Sequence, residues 1–330
     1  MKVCVISIMN EDLPEIFSEL NIFEIKKGNL NEKVKFAFDF FDSIIFIGSI
    51  GVVIRVISKL IKNKFTDPSI LVFDEKYKNL ILLIGAHMAG GYRVGEIISK
   101  RFNSNFVFTT STDVNNLVGV DLFCRDNNLF MKKENVLLIN KIILNQGFIT
   151  VSKDFKSFDL PNNFIISDKP FLFLDNYEEG VYSLFSKNYV LGLGFHKDIT
   201  FEILNKEYEE SVPIFIREKI QIASSIEKKW NTYVFHKFIR ENNIYISKFY
   251  KADELNEASK ELKLKENPYV MKATGASAVS EPSAFIASFK GEKIFENKNN
   301  NSKFVIFKID SSKKEKNNYI FEKVPEVFYG

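Results

Sequence analysis

Through the first 130 residues, short apolar runs alternate with segments in which apolar positions recur every three to four residues, the pattern of strands alternating with helices packed on a sheet. Apolar runs at residues 3–8, 44–47, 70–73, 80–84 and 106–108 predict strands, and residues 52–61 and 91–102 predict helices. A third helix is expected after Asp113, where Thr112 or Asp113 can cap a segment with Leu117, Val120, Asp121 and Cys124 at helical spacing. Residues 74–79 read as a hairpin turn, so the sheet is expected to be mixed, with helices on its faces.

From about residue 132 to 187 the pattern degrades. Short strands at 148–151 and 164–166 are interrupted by Pro161, Pro170 and clusters of Asn and Asp. Alternation resumes at Tyr189 with VLGLGF, then a helical run at 199–210, a longer helical region around 224–241, and a strand at 244–249. A helix at 252–262, a Gly and Ser-rich loop at 274–280, a helix at 282–289 and a strand at 303–309 complete the reading. The expected fold class is α/β: two α/β domains with mixed sheets and flanking helices, at 1–130 and 188–310, joined by a small β-rich middle segment at 131–187. A lysine and asparagine-rich run opens a tail at 311–330.

Composition narrows the function classes. The 330 residues suffice for two domains, and 45% hydrophobic with 26% charged residues is the profile of a soluble globular chain. A net charge of +3 is far from the excess of a nucleic-acid wrapper, so no nucleic-acid partner is expected. Two isolated cysteines, Cys4 and Cys124, exclude a disulfide scaffold and a thiolate zinc site. The apolar run after Met1 is too short for a signal peptide, and the longest uncharged apolar stretch, 44–54, is about half of the roughly 20 residues a membrane span takes. A cytoplasmic chain without membrane attachment is expected.

Three polar turns follow strands in the first half. IGSIGVVIR opens a helix at Gly51 and places Arg55 one turn in, a shape suited to an anion. IGAHMAGGY puts His87 at a strand end with Gly90 behind it, and imidazole is the natural acid or base near neutral pH. FTTSTDVNN gathers Thr110, Thr112 and Asp113 at another helix start. Each turn taken alone is equally served by capping or close packing; a shared rim would make them a site. In the second half, GLGFHK (Gly192, Gly194) has two glycines of a dinucleotide fingerprint without the third, and GASAVSEPSA (Gly275, Ser280, Glu281) runs into a helix with Pro282 in its first turn. No G-x-S-x-G elbow supports a serine hydrolase, and His87, His196 and His236 show no metal-ligand spacing.

In order and spacing, these motifs resemble the CbiG family. Gly51, Arg55, Lys64, Asp67, Pro68, His87, Gly90, Thr109, Thr110, Thr112 and Asp113 fall on the pattern of its amino-terminal domain. VLGLGFHKDIT, ASSIEKK and GASAVSEPSA are similar to segments of its carboxyl-terminal domain, so the resemblance spans nearly the whole chain. The chain departs from the family pattern at Ile50, Ala86, Ala89, Tyr92 and Ala278.

The resemblance implies a cobalt-precorrin-5A hydrolase of anaerobic cobalamin biosynthesis. Water opens the ring A lactone of a cobalt-bearing tetrapyrrole, and C20 leaves with its methyl as acetaldehyde. It implies His87 and Asp113 as catalytic residues, and Gly51, Arg55, Gly90, Thr110, Thr112, Gly192, Gly194, Gly275, Ser280 and Glu281 as substrate-binding residues. No cofactor or protein-held metal is expected, because cobalt arrives inside the substrate. A non-catalytic tetrapyrrole carrier of the same pathway is the alternative, and a homodimer or transient contact with neighbouring pathway enzymes is left open.

Overall fold

The computed structural model describes residues 1–9, 12–63, 66–86, 90–109, 114–244 and 246–310, the Lys133 side chain aside. The described residues divide into two compact units, residues 1–186 and residues 187–310.

The first unit begins with β1 (Val3–Ser7), α1 (Ile16–Glu19), β2 (Phe23–Glu24), α2 (Leu30–Phe40), β3 (Ser43–Ile47), α3 (Ile50–Ile57), β4 (Ser69–Phe73), β5 (Asn79–Ile84), α4 (Gly91–Phe102) and β6 (Asn105–Val107). They form a six-stranded sheet in the order β2-β1-β3-β4-β5-β6. β1, β3 and β4 are buried at every position, as strands covered on both faces must be, which is why each reads as a continuous apolar run. Helix α2 lies outside the sequence expectation, although its capping box, Asn29 with Glu32, is written in the sequence as Asn-x-x-Glu.

β1, β3 and β4 run parallel, β5 is antiparallel to β4, and β6 is parallel to β5. The expected hairpin makes this reversal. The Asp74 carboxylate accepts hydrogen bonds from the N–H groups of Lys76, Lys78 and Asn79 and from Asn79 Nδ2, at 2.7–3.1 Å. Partial burial pushes the Asp74 carboxyl up, but the hydrogen bonds from Lys78, Asn79 and Lys76 outweigh it and hold the group below its ordinary value. Its contribution is therefore complete above the unfolded carboxylate pKa and disappears as pH falls through the lower folded value. Asp74→Ala should cost about 1 kcal/mol, the scale of a lost cap, in urea unfolding at pH 7. The difference from wild type should vanish in acid.

The unit continues with α5 (Val120–Asp126), β7 (Leu129–Phe130), α6 (Lys133–Gln146), β8 (Ile149–Val151), β9 (Phe164–Ile166), β10 (Leu172–Leu174) and β11 (Tyr182–Ser186). Of the segment expected to be helical after Asp113, Val114 is helical, residues 117–119 are not, and Val120, Asp121 and Cys124 lie in α5, which starts behind an extended Gly119 with the Val120 N–H donating to Asn140 Oδ1 at 2.8 Å. The strands form a second sheet, β7-β11-β10-β8-β9, over a core that includes Phe123, Ile139, Ile143, Phe155, Leu172 and Leu184. This stretch holds the four-turn helix α6, absent from the sequence reading. Exposed Leu137, Leu138 and Leu144 blur its apolar stripe.

The second unit runs β12 (Tyr189–Phe195), α7 (Phe201–Ser211), α8 (Ile214–Arg217), β13 (Ile220–Ile226), α9 (Tyr233–Glu241), β14 (Ile246–Tyr250), α10 (Ala252–Glu261), α11 (Pro268–Thr274), α12 (Ser280–Ala287), β15 (Lys293–Lys298) and β16 (Ser302–Lys308). Its sheet order is β14-β13-β12-β16-β15, with β12, β13 and β14 parallel and the other pairings antiparallel. Ser224 and Ser225, expected in a helical region, lie in β13, a strand buried at every position. A fully buried strand loses the period-2 signal that would identify it. Leu191, Leu193, Tyr208, Phe238 and Phe304 form the core on one face; Val190, Ile222, Ala284 and Phe307 belong to the core on the other. Among the described residues no helix is long and apolar enough to cross a membrane.

Candidate active site

The β4–β5 hairpin decides which of the first unit's polar turns meet. β3 ends at Ile47 opposite Phe73, and the Gly48 N–H donates to the Phe73 carbonyl at 2.9 Å, so the turn leading to Gly51 lies at the Phe73 end of β4. β5 runs the other way and ends with Ile84 opposite Ile70. β6 runs with β5 and directs the chain after Val107 toward that same Ile70 end. The end of β5 and the chain leaving β6 thus point to one edge of the sheet, and Gly51 and Arg55 stand at the other, a strand length or roughly 13 Å away. The antiparallel pairing puts the Gly51 turn at the edge opposite the end of β5, while residues 87–89 and 110–113 of the other two expected turns lie outside the described residues.

His87 and Ala89, and likewise Thr110, Thr112 and Asp113, lie outside the described residues, as do Lys64 and the tail at 311–330. Gly85 and Gly90 both take left-handed φ, +75° and +76°. The Gly91 N–H donates to Gly85 O at 3.0 Å and the Tyr92 N–H to Ala86 O at 2.9 Å, which ties the start of α4 to the end of β5. Gly91 lets the helix approach the sheet, since a Cβ there would come within 2.7 Å of Ser69 Cβ and 2.8 Å of Leu82.

A Cβ on Gly90 would fall 2.9 Å from the Arg125 guanidinium, which is buried. Next to it, Arg93 holds Glu96 and Asp126 at 2.6 Å each and lies over the Tyr92 ring, 5.7 Å from its centre. Tyr92, a departure from the family pattern, packs edge-on against Phe108 at 5.3 Å. The start of α4 therefore carries two guanidiniums and a packed aromatic pair. Arg125 was not among the residues selected from sequence, because an arginine in a short amphipathic helix reads as surface and only its burial against Gly90 marks it.

At the opposite edge, Arg55 is exposed and its Nη1 donates to the Gly51 carbonyl at 3.1 Å, one turn back on its own helix. The Lys62 and Asn63 N–H groups donate to Asp67 Oδ2 at 2.7 and 2.8 Å, so Asp67 of the Asp-Pro segment closes a turn.

In the second unit, α12 begins against β12. The space where a Gly192 side chain would start is filled by the Ser280 carbonyl oxygen, 1.7 Å from an ideal Cβ, so this glycine answers to helix packing. At Gly194 the nearest atom is Ser280 Cβ at 3.6 Å. Gly275 is the left-handed cap of α11, and its carbonyl accepts from Asn256 Nδ2 at 2.9 Å. Buried Glu281 is already engaged, by Lys293 at 2.8 Å and Lys303 at 3.9 Å. Ser225 Oγ donates to Leu193 O and Ser224 Oγ to Ser283 Oγ, both inside the core, and the buried His236 ring is bonded to the Trp230 carbonyl. None of these three is placed to attack a substrate. Among the described residues no group of three or more His, Cys, Asp or Glu side chains could hold a metal ion.

A family model described as Cobalamin synthesis G N-terminal matches residues 32–113, and one described as Cobalamin synthesis G C-terminus matches residues 189–306. The chain is 30% identical over 262 residues to a "Probable cobalt-precorrin-5A hydrolase" of Methanocaldococcus jannaschii, covering 74% of this chain and 75% of that protein. It is 29% identical over 137 residues to a cobalt-precorrin-5A hydrolase of Priestia megaterium, covering 41% of this chain and 36% of the other. A crystal structure of a cobalamin biosynthesis protein G homolog from Sulfolobus solfataricus aligns over 94% of this chain and 97% of that one, at 20% identity and a TM-score of 0.44.

Proposed function

The chain belongs to the cobalamin synthesis G family, and from that membership we infer that it is a cobalt-precorrin-5A hydrolase. The observation that carries the reading is the 30% identity shared across three quarters of both chains with the Methanocaldococcus jannaschii relative. The reaction opens the ring A lactone with water and releases C20 with its methyl as acetaldehyde, leaving cobalt-precorrin-5B. Cobalt enters as part of the substrate.

The chemistry asks for a base that takes a proton from water, donors for the oxygen that becomes negative at the lactone carbonyl, and a proton carrier for the fragmentation. We assign the base to His87, with Asp113 orienting it or sharing its proton. What supports the pairing is the direction of β5 and β6, whose chains run toward one edge of the sheet. Arg125 beside Gly90 supplies positive potential for the developing oxyanion and the acetate that lactone opening liberates. Gly51 and Arg55, at the far edge, take no part in that step.

The test is anaerobic incubation with cobalt-precorrin-5A, with acetaldehyde followed through an alcohol dehydrogenase couple and heat-killed protein as control. Acetaldehyde over multiple turnovers is the expected result. Binding of the substrate without acetaldehyde overturns the hydrolase reading in favour of a carrier.

A further inference from the structure

At the carboxyl edge of the second unit's sheet a lysine ammonium is seated on an aromatic ring. Lys229 closes the single 3₁₀ turn Glu227–Lys229 that follows β13. Its ammonium stands over the Phe195 ring at the end of the neighbouring strand β12, 3.9 Å from the ring centre. The residue is half-buried, and among the described residues it enters no ion pair. Lys293 and Lys303, by contrast, are tied to Glu281 and Glu296. Burial pushes the Lys229 amine down to about 8, and the charge of Asp198 opposes that shift only in part.

Two further features make the same edge favourable to an anion. Lys228 is exposed, its ammonium donating to the Ala273 carbonyl at 3.4 Å. The amino end of α12 also reaches this edge, where Ser280 lies beside Gly194 and no side chain caps the helix.

We propose that Lys229, with Lys228 beside it, anchors a peripheral carboxylate of the tetrapyrrole. This rests on the hydrolase reading above, whose substrate is rimmed with carboxylates. A partly desolvated ammonium whose burial Asp198 offsets only in part is unfavourable, and an incoming carboxylate turns that deficit into a charge-assisted hydrogen bond. Phe195 keeps water off one side of the ammonium and attracts it through its ring face, so the cation is held in place before the ligand arrives. The group is a positioning residue for binding and stands apart from the bond-breaking step.

Lys229→Met keeps a stem on Phe195 and removes the charge, whereas Lys229→Arg restores the charge. With cobalt-precorrin-5A, KM should rise about tenfold or more in the Met variant while kcat stays within about threefold, and the Arg variant should recover KM to within about threefold of wild type. A wild-type KM in the Met variant overturns the proposal. An equal rise in both variants also overturns it, because it marks a packing role. If wild-type protein releases no acetaldehyde, the hydrolase reading has failed, and affinity for an octacarboxyl porphyrin, read by fluorescence quenching, decides the subsite. Weakening of about tenfold in the Met variant but not the Arg variant then supports the anchor. Unchanged affinity in the Met variant removes it.

Discussion

Acetaldehyde release by the His87→Ala variant should fall by about 10²- to 10⁴-fold, the loss that follows removal of a positioned acid or base. Both chemical steps move a proton: water must lose one as it attacks the lactone, and the C20 hydroxyl must lose one as its bond to the macrocycle breaks. An unperturbed imidazole has a pKa of about 6.5 and can accept a proton and return it at neutral pH, which neither an amide nor a methyl can do. His87→Gln, which keeps hydrogen-bonding capacity, should therefore be as inactive as His87→Ala. Asp113→Asn should lose less, because the imidazole remains. The comparison is made as kcat under single-turnover conditions, on variants whose thermal unfolding matches wild type. Undiminished turnover in His87→Ala moves the base elsewhere.

Gly192→Ala should destabilise the second unit by about 3 kcal/mol, the upper part of the range for overpacking. The obstacle is backbone: the new methyl would lie 1.7 Å from the Ser280 carbonyl oxygen, 2.7 Å from its carbon and 2.9 Å from Ala284 Cβ. A side chain could rotate aside, but α12 has to lift as a body. That helix is buried from Ser280 through Phe285 and is linked to β13 through the 3.1 Å contact between Ser283 Oγ and Ser224 Oγ. Gly194, two residues along the same strand, provides the control. Its nearest neighbour would be Ser280 Cβ at 3.6 Å, an ordinary contact, so Gly194→Ala should cost less than about 1 kcal/mol. Urea unfolding of the two variants side by side decides the matter, and equal stabilities would contradict the packing argument.

The two glycines illustrate how far the sequence reaches. VLGLGF marks a strand and the order of its residues, and the GASAVSEPSA loop marks the start of a helix. Nothing in either segment says that the helix settles on the first glycine and leaves the second with ordinary clearance. Glu281 is similar: its Glu-Pro context places it in a helix's first turn, but its pairing with Lys293 and Lys303 comes from β15 and β16, the first of which lay outside the sequence expectation.

By itself the sequence determined the alternation of strands and helices, the turn at Asp74, the α/β class and, through motifs at matching spacing, the family and its chemistry. These depend on local periodicity, on residues that cap or turn, and on order along the chain. Only the tertiary structure decided at which edge each strand ends. Apolar period tells which side of a strand faces the core but not which way the strand runs, and the reversal at β4–β5 puts the end of β5 at the edge opposite Gly51 and Arg55. It also decided that Arg125 is buried against Gly90 and that Lys229 rests on Phe195 without an ion-pair partner among the described residues. Burial and pairing arise between segments distant in sequence, where spacing along the chain carries no information about separation in space.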